Sequence, residues 1–64
     1  MNMDQFKEQR ARFIEKHGAD AIMMADENAR YAMCLELEPL AKFAKMPAEK
    51  LLALIAKAIA EGQL

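Results

Sequence analysis

Apolar residues recur along this chain at three- and four-residue steps, the spacing that lays side chains along one face of an α-helix. Met3, Phe6, Phe13, Ile14 and His17 fall on one such face, with Glu8, Arg12 and Glu15 opposite. Arg10 interrupts that stripe, one turn from both Phe6 and Phe13. Further along the pattern widens. Ala21, Ile22, Met24, Ala25, Ala29, Tyr31, Ala32, Met33 and Leu35 cover an arc of about 200°, wider than the ~100° of a surface helix. Ala48, Leu51, Leu52, Leu54, Ile55, Ala58 and Ile59 make a second broad arc, and Lys50, Lys57 and Glu61 form its polar strip.

Glycine and proline set the expected bounds. Gly18 and Gly62 stop helical patterns, while Glu38-Pro39 and Met46-Pro47 read as starts, because proline fits a first helical turn. The result is a first helix over 4–17, a second over 20–37, a short third over 39–45 and a fourth over 47–61. Asp4 and Asp20 are the expected N-caps, and Lys16 and His17 suit a helix C-terminus. Met46 is a poor cap, so the fourth helix is expected to depend on packing at its start. No linker divides the chain, and 1–64 reads as a single helical domain.

Composition agrees with the pattern. The chain has no Ser, Thr, Val or Trp, and isoleucine is its only β-branched type, which leaves little to build a strand from. The fold class is all-α: a small bundle of three main helices plus one short helix. A chain of 64 residues buries only about 60% of its unfolded surface. The two broad arcs exceed what such a chain covers, so self-association, as a two-fold dimer, is expected to complete the fold. Ala25, Ala29, Met33, Leu51, Ile55 and Ile59 are the expected contacts, and Asn28 is expected to fix their register.

Charge then narrows the partner. Nine basic against ten acidic side chains, a net charge of −1, lack the footprint of a dedicated nucleic-acid binder. The charges are nonetheless segregated. Residues 20–38 carry five carboxylates against Arg30, and residues 39–57 carry Lys42, Lys45, Lys50 and Lys57 against Glu49. Solvated surface is the ordinary reading of such runs, and complementary pairing between chains is the functional one. The third and fourth helices outline a helix-turn-helix, but the fourth opens Ala48-Glu49-Lys50-Leu51 and offers only Lys50 to a base edge.

No catalytic constellation emerges. Cys34 and His17 lie on different helices without a third group to orient the ring. His17 and Asp20 flank a helix break and read as terminal residues, not as metal ligands. The acidic pairs Asp26-Glu27 and Glu36/Glu38 do not share a helix face. No enzymatic activity, cofactor or metal is expected.

The function expected is a non-enzymatic protein-binding module, a small regulator, inhibitor or adaptor acting on a larger protein. The alternative is a nucleic-acid-binding regulator using the basic segment 42–57. Arg10, Met23 and Arg30 are the candidates for partner recognition. Arg10 is expected to meet Asp26 or Glu27 while its stem packs on Phe6 or Phe13. A single cysteine fits a reducing compartment, and no apolar run reaches the ~20 residues of a membrane span. A cytoplasmic location without a membrane partner follows as the expectation.

Overall fold

Asn2, not Asp4, opens the first helix. In the computed structural model, which describes residues 1–63, α1 runs over Met3–His17. The Asn2 side chain accepts from the Gln5 amide at 2.8 Å, and the Gln5 side chain accepts from the Asn2 amide at 2.9 Å. This reciprocal capping box satisfies two otherwise orphaned donors, and Asp4 sits inside the first turn, where its charge favours the helix dipole. Gly18 ends α1 at φ 86°, a conformation that a side chain would resist, and its amide donates to the Ile14 carbonyl at 2.8 Å.

The expected 20–37 helix is broken where it was read as continuous, and continuous where it was read as broken. A short α2 covers Ala19–Met23, and the chain leaves helical geometry before Asp26. Asp26 then caps α3, Glu27–Ala44, by accepting from the Ala29 amide at 2.8 Å. Asp20 lies in the first turn of α2 and caps nothing. Pro39 lies inside α3 and starts no helix. The reason is its position. Proline donates no hydrogen bond to the carbonyl four residues back, here Leu35, and both Pro39 and Leu35 are exposed. The interrupted bond therefore faces solvent and spares the core.

α3 ends with Lys45 in the left-handed region at φ 57° and ψ 45°. The Met46 amide donates to Ala41 at 3.1 Å and the Lys45 amide to Lys42 at 3.2 Å, the two bonds of a Schellman cap. Pro47 occupies the N-cap of α4, Ala48–Ala60, without a side-chain hydrogen bond. The cap position is Pro47 and not Met46, and Ala48 beside it is buried.

The protein is all-α, with three long helices and a short one, and no strand is present among the described residues. The short helix is the second, not the third. Met33, Leu37, Leu40 and Ala41 of α3 pack with Ala48, Leu51, Leu52 and Ile55 of α4, and Phe6, Phe13 and Ile22 complete the core. α1 crosses α3 antiparallel: Phe6 meets Phe43 at 5.4 Å between ring centroids, and Lys16 and His17 reach Glu36. Among the described residues, no helix is long and apolar enough to cross a membrane.

Candidate functional site

A cleft of about 1080 Å³ opens along one side of the α3–α4 hairpin, flanked by α2 and the turn after it. Small side chains create it. Cys34 and Ala41 on α3, and Ala48 and Ala56 on α4, leave the space between the helices unfilled, and the five-residue α2 is too short to cover it. Buried Ile22, Ala41, Ala48 and Leu52 form the floor. Exposed Glu27, Arg30, Tyr31, Glu38, Lys42, Lys45 and Glu49 form the rim, three carboxylates among three cations.

Cys34 is a free, half-buried thiol within this cleft. Burial pushes its pKa up, the carboxylates of Glu49 and Glu38 push it further, and Arg30 only partly opposes them. The thiol is therefore protonated at neutral pH and a poor nucleophile. His17 does not join it. Its Nε2 lies 2.7 Å from Glu36 Oε2, and its ring packs on Phe13 at 4.6 Å between centroids. Glu36 also accepts from Lys16 Nζ at 3.0 Å. The Lys16 bond first, then the His17 bond, hold the Glu36 carboxyl below the usual carboxylate range. Glu36 and Glu38 thus part company, one toward α1 and one into the cleft. Among the described residues, no group of three or more His, Cys, Asp or Glu side chains gathers to hold a metal.

The structure separates the candidate recognition residues. Met23 and Arg30 both line the cleft. Arg10 does not; it is the guanidinium, not the stem, that lies over the Phe6 ring, 5.8 Å from the centroid. The expected contact to Asp26 or Glu27 is not formed. That contact needed an unbroken helix after Gly18, and the break before Asp26 removes it.

The self-association candidates divide as well. Met33, Leu51 and Ile55 are core residues, each 5% exposed or less, and so are spent within one chain. Ala29 and Ile59 are half-buried, Ala25 lines the cleft, and Asn28 is exposed. The α4 arc is largely buried, whereas in the α3 part of the other arc only Met33 is buried and Tyr31, Ala32 and Leu35 are exposed. Of the four lysines in 42–57, Lys42 and Lys45 line the cleft beside Glu38 and Glu49, whereas Lys50 and Lys57 do not. Tyr31, Glu38 and Glu49 escaped the sequence reading. The signal for Tyr31 and Glu38 is the run 27, 31, 34, 38, 42, 45, which steps along one α3 face at helical spacing, whereas Glu49 comes from α4.

No protein-family model, curated protein or solved structure matches the chain.

Proposed function

We propose that the chain is a non-enzymatic protein-binding module, a small regulator, inhibitor or adaptor, that takes a helix of a larger protein into the α3–α4 cleft. The observation carrying this reading is the cleft itself: a floor of small and apolar side chains beneath a rim of mixed charge. A helix is ~10 Å across with its side chains, so the cleft has room for about two turns. Helix-in-groove docking uses such a surface, with apolar anchors on the floor and polar pairs at the rim. Met23 supplies an adaptable side chain and Arg30 and Tyr31 are residue types enriched in binding hot spots. The raised Cys34 pKa supports binding over nucleophilic chemistry. The mixed rim favours a protein over the nucleic acid of the alternative reading, which requires a continuous positive surface. The free Cys34 thiol supports a cytoplasmic location for the module.

A photo-crosslinking residue at Ala53, which lines the cleft, and another at Leu54, which is exposed but outside it, test this in the cells that make the protein. Discrete protein adducts at Ala53, absent at Leu54, are expected, and Arg30→Glu should remove them. Equal adducts at both positions, or none at Ala53, would overturn the reading. Sequence-selective nucleic-acid binding that survives physiological salt would replace it with the alternative.

A further inference from the structure

α3 carries a second surface on the side away from the core. Asn28, Tyr31, Ala32, Leu35 and Pro39 are all exposed and recur at helical steps. At ~100° per residue they share one arc, opposite Met33, Leu37 and Leu40. Tyr31 is 69% exposed and Leu35 56%, high values for side chains of this size in the middle of a helix. Charge brackets the strip. Glu27 lies at its N-terminal end, and Lys42 and Lys45 at its C-terminal end. Among the described residues, Glu27, Lys42 and Lys45 enter no ion pair.

We infer that this strip pairs with the same strip of a second copy, antiparallel, about a two-fold axis passing at Leu35. Asn28 and Lys42 each lie seven residues from Leu35, or ~10.5 Å along the helix, so an antiparallel partner brings them level. The same register sets Tyr31 against Pro39 of the second copy, ring on ring, and Leu35 against its own equivalent. Glu27 then stands beside Lys42 of the second copy at both ends. A parallel pair would place like charges side by side, and antiparallel helix dipoles add to the preference. The positions 28, 35 and 42 form a seven-residue seam of the kind that knobs-into-holes packing uses. A foreign helix would have to reproduce this order of acid, apolar and base, whereas a second copy carries it by symmetry.

One helix crossing is a small interface, so the dimer dissociates in the micromolar range. Tyr31 borders the cleft as well as the strip, as do Glu27, Lys42 and Lys45, so the two surfaces meet along that edge of α3, while the cleft floor at Ile22, Ala41, Ala48 and Leu52 lies outside the pairing strip.

Sedimentation equilibrium from low micromolar to near-millimolar concentration tests this pairing. The native chain is expected to dimerise, and Leu35→Glu to remain monomeric with unchanged helical circular dichroism. Glu27→Lys and Lys42→Glu should each weaken the dimer about tenfold, because each places like charges at both ends. Mixed together, the two variants should form a heterodimer tighter than either homodimer. A monomer at every concentration, a Leu35→Glu dimer as tight as the native one, or charge variants that gain nothing on mixing would each overturn the inference. Crosslinking from Ala53 reads the cleft separately, so either reading can fail alone.

Discussion

The α3–α4 hairpin and α1 are built from similar residues but held in different ways. α3 and α4 supply eight of the eleven core side chains, which mesh between Met33–Ala41 of one helix and Ala48–Ile55 of the other. α1 is attached at points. Phe6 and Phe13 enter the core, Arg10 lies over Phe6, and the C-terminal end is tied by Lys16 and His17 to Glu36. Each buried phenylalanine contributes about 1.5–3 kcal/mol, whereas an exposed ion pair contributes roughly 0–1 kcal/mol. The hairpin therefore makes the surface on which α1 docks, and α1 is the part that opens first.

A cavity in each region separates them most sharply. Leu37 is fully buried at the centre of the hairpin, and Leu37→Ala should cost about 2–5 kcal/mol. That is most of the stability a domain of this size commands, so urea titration should show the cooperative transition lost or shifted near zero denaturant. Phe13→Leu should cost about 1–1.5 kcal/mol. Its signature is local: amide-exchange protection falls across residues 3–17 while residues 33–41 keep theirs. Uniform loss in both variants would erase the distinction between seam and anchor.

Lys45→Gly should move the other way. A left-handed lysine costs about 1–2 kcal/mol, glycine removes that strain, and its greater freedom in the unfolded chain returns part of the gain. A net stabilisation of about 0.5–1 kcal/mol is expected, read as a raised Tm at a concentration where the chain is monomeric. The α1 clamp gives the smallest effect. Hydrogen bonds from Lys16 and His17 lower the Glu36 pKa, so their contribution is present above the carboxyl's unfolded pKa. It is lost as pH falls through the lower folded value. Because Glu36 and Lys16 are well exposed, the contribution stays below about 1 kcal/mol. Thermal melts from neutral to acid pH should show it as a gap between the native chain and Glu36→Gln that closes at low pH.

Much of this fold was legible in the residues. The helical periodicity, the stop at Gly18, the two C-terminal turns and the near-absence of strand formers lead to an all-α chain with four helices. The bounds failed where two signals competed. Pro39 reads as a helix start because proline fits a first helical turn, and only its exposed setting shows that the hydrogen bond it lacks inside α3 is tolerable. The break before Asp26 had a signal of its own, an N-cap residue followed by Glu27 in a first turn, but the surrounding alanines and methionines masked it. Asn2 with Gln5 three residues later was likewise a capping box in plain sight. Of the cleft, Met23 and Arg30 were identifiable from their exposure and type. The rest depended on where α2 ends, which no periodicity specifies.

The three-residue corner Lys45–Pro47 also bears on how quickly the chain finds its structure. It joins the two helices that furnish most of the core, so the decisive contacts lie close in sequence and little loop entropy is lost in forming them. Helical domains dominated by such local contacts fold within microseconds to milliseconds. The expected order is therefore hairpin first, around Leu37 and Ile55, and α1 afterwards, which φ-values near zero at Phe6 and Phe13 would bear out.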